Sequence, residues 1–89
     1  MYIEFSTNNI SIAKKHLEKS NYCKRAKEQI LEWVEKGWVR VCDPFMYGPG
    51  KIAFHNIQAF KDMFPEAKSN YEACSKAIDM LIEMEEENG

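Results

Sequence analysis

The chain has 89 residues, and soft priors put a domain at roughly 100–200 residues, so a single domain over 1–89 is expected. With 45% hydrophobic, 12% aromatic and 29% charged residues, it fits neither a disordered nor a collagen-like chain. Twelve Lys and Arg against fourteen Asp and Glu leave a net charge of −2, which excludes a polycation that coats nucleic acid by charge alone.

Residues 2–6 alternate, with Ile3 and Phe5 on one face and Tyr2 and Glu4 on the other, which predicts a short half-buried strand. Ser6-Thr7-Asn8-Asn9 supplies turn and cap chemistry, and Ile10, Ala13 and Leu17 recur at helical spacing, so a first helix is expected over about 10–18. Ser20-Asn21 interrupts it and offers a second cap. Cys23, Ala26, Ile30, Trp33 and Val34 then form an apolar helical stripe. Lys24 with Glu28, and Glu32 with Lys36, stand at i, i+4 on that second helix, and Gly37 stands where a C′ glycine ends it.

Residues 38–42, Trp-Val-Arg-Val-Cys, read as a strand that Asp43-Pro44 breaks. Gly48-Pro49-Gly50 marks a turn before residues 51–55 alternate again, so a β-hairpin with a long loop is expected. Asn56 caps a short helix whose Ile57, Phe60 and Phe64 share a face, and Pro65 closes it. Ser69-Asn70-Tyr71-Glu72 is a capping box, and it opens a last helix over 69–87 with Tyr71, Cys74, Ile78 and Leu81 in register. These four are core positions or the seam of a homodimer. Glu83 and Glu85 to Glu87 set negative charge at the negative end of that helix's dipole, so its last turn is expected to fray.

The order is strand, helix, helix, strand, long loop, strand, helix, helix: an α+β chain with a small antiparallel sheet and helices packed on it. Residues 2–64 resemble the winged helix-turn-helix family, and within it the excisionase and MerR-like branch. The residues that carry the likeness are Tyr2-Ile3 with the 10–15 segment Ile-Ser-Ile-Ala-Lys-Lys, the 30–41 segment ending in Gly37 and the first wing strand, and the returning segment 51–60. Between Ala13 and Ile30 the chain is about one helical turn longer than in compact members. Its wing tip, Phe45-Met46-Tyr47, is apolar where a DNA-contacting wing carries Arg or Lys. What the resemblance implies is a regulator, an excisionase or a similar accessory factor with no catalysis of its own.

Charge divides unevenly along the chain. Residues 1–44 hold eight Lys and Arg against six acids, a net +2, whereas residues 45–89 hold four against eight, a net −4. Six of the basic residues fall within 14–27. Lys and Arg beside a helix N-terminus are what phosphate contacts require. Lys14, Lys15 and Lys19 are therefore expected to hold a DNA backbone, with Lys27 beside them. Asn21, Lys24 and Arg25 would meet base edges in a major groove. The competing reading of this cluster is an ordinary solvated helix face.

Phe45, Met46 and Tyr47 support a second expectation: a protein-binding adaptor or inhibitor, of the kind phages and mobile elements encode, working through the apolar wing and the acidic second half. The competing reading is a loop folded over the core. The acidic end would mimic phosphates, repel DNA from one face, or merely solubilise a frayed terminus.

Other chemistry finds little support. Gly48-Pro49-Gly50-Lys51 lacks the earlier glycine and the following Ser or Thr of a phosphate loop, having Phe45 and Ile52 there. Cys42, Asp43 and His55 sit on adjoining strands, but a thiol–imidazole pair needs a cleft and an oxyanion site. Neither His16 nor His55 has a Cys or His at ligand spacing. No enzyme activity, cofactor or metal is expected. Three cysteines, odd in number and widely spaced, point to reduced thiols. With no basic leader and no run of about 18 apolar residues, a soluble cytoplasmic protein away from the membrane is expected.

Overall fold

The computed structural model describes residues 6–88. The elements are β1 (Ser6–Thr7), α1 (Ile10–Glu18), α2 (Lys24–Glu35), β2 (Val39–Cys42), α3 (Pro44–Tyr47), β3 (Ile52–Phe54), α4 (Ile57–Met63) and α5 (Asn70–Asn88). Of the strand expected over 2–6, all but Ser6 lies outside the described residues. Among the described residues the chain is a small α+β structure of five helices and one three-stranded antiparallel sheet, in the order β1-β2-β3.

The register pairs Ser6 with Cys42 and Thr7 with Val41 on one edge, and Val39 with Phe54 and Val41 with Ile52 on the other. Arg40 fastens the first edge. Its guanidinium donates to the Ser6 hydroxyl and to the Ser6 carbonyl, both at 3.0 Å.

Local chemistry explains most element ends. Asn9 caps α1 by accepting from the Ile12 N–H at 3.2 Å. At the end of α2, Gly37 takes φ +80°, its N–H donates to Val34 and the Trp38 N–H donates to Trp33 at 2.8 Å, a Schellman closure. The cap of α2 is a correction: Cys23 holds the position, its sulfur accepting from the Ala26 N–H at 3.5 Å. Ser20 is instead buried with its hydroxyl donated to the Leu17 carbonyl at 2.6 Å.

The β2–β3 connection also differs from the expected long loop. It contains the helical turn α3, capped by Asp43, whose carboxylate accepts from the Phe45 N–H at 2.8 Å. Pro44 suits the first helical position, where its missing N–H is no loss. Two positive-φ glycines, Gly48 and Gly50, return the chain to β3.

Asn56 caps α4 as expected, accepting from the Ala59 N–H. The box before α5 forms with one change: the Glu72 N–H donates to the Ser69 hydroxyl, while the Glu72 carboxylate reaches the Lys68 N–H at 2.9 Å.

Phe60 is the hub of the core. Fully buried on α4, it meets Trp33, Trp38 and Phe54 edge-on, with ring centroids 5.1, 5.5 and 5.1 Å away. Helix α5 packs on α4 and along α2. Of the expected stripe it buries Leu81, together with Ala73, Ala77 and Met84, while Cys74 and Ile78 are half-buried and Tyr71 is 84% exposed. The helix runs to Asn88. Among the described residues no helix is long and apolar enough to cross a membrane.

Candidate functional site

Packing of Ala13 and Leu17 against Ala26 and Ile30 joins α1 to α2 and fixes the corner between them. Tyr22 ties this corner to the β2–β3 connection, its phenol donating to the Gly50 carbonyl at 2.7 Å. A Cβ at Gly50 would stand 3.3 Å from the Tyr22 ring, so glycine is needed there for contact as well as for φ +86°. The Tyr22 N–H donates to the buried Ser20 hydroxyl at 3.4 Å. The corner is braced from beneath by groups that the sequence pattern did not mark.

The basic residues are distributed over this corner. Lys14, Lys15 and Lys19 are exposed on α1 and its C-cap. Lys15 and Lys19, at i, i+4, share one face, and Lys14 leaves from its flank. Asn21 and Lys24 are exposed at the turn and the first residue of α2, and Lys27 is half-buried one turn on. Ion pairs among the described residues join Arg25 to Glu87, Lys36 to Glu32 and Lys76 to Glu66, and none of these five lysines takes part in them. The expected Lys24–Glu28 pair is therefore not formed, whereas the Lys36–Glu32 pair is, at 3.2 Å.

Asn21 lines an open hollow of about 430 Å³ with Ser20, Tyr22, Pro49, Gly50, Lys51 and Glu85. The exposed Lys51 is a cation that sequence reasoning left out of this cluster, because it lies thirty residues beyond Asn21 and is brought near it by the packing of Tyr22 on Gly50. The remainder of α2 is less basic than its start. Glu28, Glu32 and Glu35 are exposed along its outer side, opposite the buried Ala26, Ile30, Trp33 and Val34.

The acidic end of α5 reaches the same corner. The Cys23 N–H donates to a Glu85 carboxylate oxygen at 2.6 Å, the Cys23 sulfur donates to the Met84 carbonyl at 3.8 Å, and Arg25 is hydrogen-bonded to Glu87. These carboxylates meet the positive end of the α2 dipole, which offsets their unfavourable place on α5 and explains why its last turn holds. Partial burial, with Glu85 beside it, pushes the Tyr22 phenol above its ordinary range.

A second exposed feature stands apart from the corner. On α3, Phe45 is 93% exposed, Met46 50% and Tyr47 52%, so the alternative of a loop folded over the core does not hold. The ladder separates the Cys42 thiol from the His55 imidazole: the Cys42 N–H bonds to the Lys51 carbonyl, and the His55 N–H to Trp38 at the other end. Burial raises the Cys42 and Cys74 thiols above their usual range, which disfavours the nucleophilic thiolate. Among the described residues no group of three or more His, Cys, Asp or Glu is placed to hold a metal ion.

No protein-family model, curated protein or solved structure matches the chain.

Proposed function

We propose that the chain is a winged helix-turn-helix protein that binds double-stranded DNA, serving as a transcriptional regulator or an excisionase-type accessory factor in the cytoplasm. Helices α1 and α2 are the helix-turn-helix, the β2–β3 connection is the wing, and residues 2–64 are the winged-helix part of a single domain that α5 completes. One observation carries the reading: Lys14, Lys15, Lys19, Lys24 and Lys27 surround a single helix corner with Asn21, outside the ion pairs that engage Arg25, Lys36 and Lys76. Lysines on α1 and its C-cap neutralise phosphates, which sets the register of the protein on the duplex. Asn21 and Lys24, at the leading end of α2, reach base edges, since recognition helices read with their N-terminal residues. The carboxylates further along α2 keep the rest of that helix away from the backbone.

The test is a salt titration of binding to a random duplex. Affinity falls log-linearly with salt, with a slope of about −0.9 for each phosphate neutralised. Replacing Lys14, Lys15 and Lys19 together by Gln makes that slope shallower by about one for each phosphate no longer neutralised. Absence of duplex binding at low salt removes the reading.

A second reading, a protein-binding adaptor or inhibitor, is favoured by the exposed Phe45-Met46-Tyr47 turn. Aromatic and Met side chains standing in water at a rigid turn are what interface anchors use. Capture of a partner that Phe45→Ala weakens, from a protein without duplex affinity, would establish this reading in place of the first.

A further inference from the structure

We propose that the last turn of α5 is an autoinhibitory latch over the leading end of α2, which duplex DNA must displace before Arg25 and the Cys23 N–H at the N-cap can take phosphates. The proposal rests on the DNA-binding reading and concerns the regulation of the same surface.

A helix begins with N–H groups that have no partner inside the helix, and its positive dipole end favours anions. Those donors, together with an arginine, are what a DNA backbone engages in a protein of this kind. Here carboxylates already hold two donors at this end: the N-cap Cys23 N–H donates to Glu85 at 2.6 Å, and Arg25 is paired with Glu87. Glu85 also lines the hollow between Asn21 and Lys51, the two polar side chains that lead into the corner from the turn and the wing. Carboxylate oxygens thus stand where phosphate oxygens would, on the same donors.

The latch is built to open without unfolding. Ala73, Ala77, Leu81 and Met84 are buried and hold α5 to the body, whereas Glu85 is half-buried and Glu86 and Glu87 are exposed. Release breaks the Glu85–Cys23 hydrogen bond and the Arg25–Glu87 pair without requiring those four buried side chains to leave the core. The Arg25–Glu87 pair lies in water, with the two side chains 54% and 61% exposed, where ion pairs are weak and screened by salt. DNA, bearing many phosphates, competes through the five lysines as well as for these donors.

The experiment measures duplex affinity for three full-length proteins: the wild type, Glu85→Gln with Glu87→Gln, and Glu83→Gln with Glu86→Gln. Both variants change the net charge equally at the same end of α5. Glu83 and Glu86 are exposed and take no part in the hydrogen bonds that Glu85 and Glu87 make to Cys23 and Arg25. The latch variant is expected to bind about tenfold more tightly, a typical coupling between two sites, while the control changes by less than about twofold. Hydrogen exchange at the Cys23 N–H is expected to quicken in the latch variant without DNA, with an unchanged melting temperature showing that the fold is kept. Equal gains in both variants, or no gain in either, overturn the latch and leave the DNA reading standing. Duplex binding by none of the three overturns the DNA reading and the latch with it.

Discussion

The α1–α2 corner and the α3 turn are both exposed edges of this molecule, and they are built in opposite ways. The corner is polar on its surface and braced below, with the Tyr22 phenol on Gly50 and the Ser20 hydroxyl on Leu17, and carboxylates of α5 laid across its leading end. The α3 turn is apolar on its surface and capped by the carboxylate of the adjoining Asp43, with Phe45 in water. The corner is thus supported from two distant parts of the chain, the β2–β3 connection and α5, whereas α3 is shaped locally by Asp43, Pro44 and Gly48. A surface of the first kind is tuned by its supports; one of the second kind is nearly independent of them.

The largest expected effect removes what the two edges share. Phe60 lies beneath β3, α2 and the Trp38 ring, so Phe60→Ala is expected to destabilise the protein by about 3–5 kcal/mol in urea unfolding. A cost below about 1 kcal/mol would mean that the core does not centre on this ring.

Gly50→Ala acts on the bracing of the corner. It puts a Cβ at φ +86° and 3.3 Å from the Tyr22 ring, so a loss of about 1–2 kcal/mol by thermal unfolding is expected. An unchanged melting temperature would show that the connection is not seated on Tyr22.

Tyr22→Phe removes the hydrogen bond alone, with an expected cost of about 1 kcal/mol at neutral pH. Its pH dependence sharpens the point. The folded phenol titrates above its ordinary value, first through burial and then through Glu85. Its stabilisation is complete below the unfolded value of about 10 and is lost as the pH rises through the raised folded value. The wild type therefore has a steeper alkaline loss of stability than Tyr22→Phe. Parallel alkaline limbs would contradict the placement of the phenol.

The smallest effect is expected at the other edge. Phe45→Ser deletes an aromatic ring yet should change stability by no more than about 0.5 kcal/mol, because the ring is already in water. A loss above about 1 kcal/mol in calorimetry would mean that α3 folds onto the body, and the contrast between the edges would disappear.

Much of the architecture was legible in the residues. Ile10, Ala13 and Leu17 marked α1, and Gly37 marked the end of α2, because both signals are short-range: spacing along one helix, and a φ that only glycine takes freely. Asn56 and Ser69 were readable caps for the same reason. The cap of α2 was not, since Ser20 was used in a bond back to Leu17 and left Cys23 at the helix start. The inner face of α5 was legible only in part: Leu81 is buried as expected, but Ala73, Ala77 and Met84 were not marked, because α5 is covered by two partners, α4 and α2, rather than one. Lysines 14 to 27 were visible as a cluster, while Lys51, Tyr22 and Glu85 were not, for they join it from other elements.

By itself, then, the sequence determined that this is a small α+β chain with half of its cations in one short stretch and a run of carboxylates at the far end. What only the tertiary structure decided is that the far end returns. Glu85 and Cys23 are 62 residues apart and share a hydrogen bond. The physical reason is that a side chain's own periodicity reports which face of its element it occupies, but its electrostatic partner depends on which element folds across from it. The net charge of −2 is therefore a sum over two surfaces that touch at the leading end of α2.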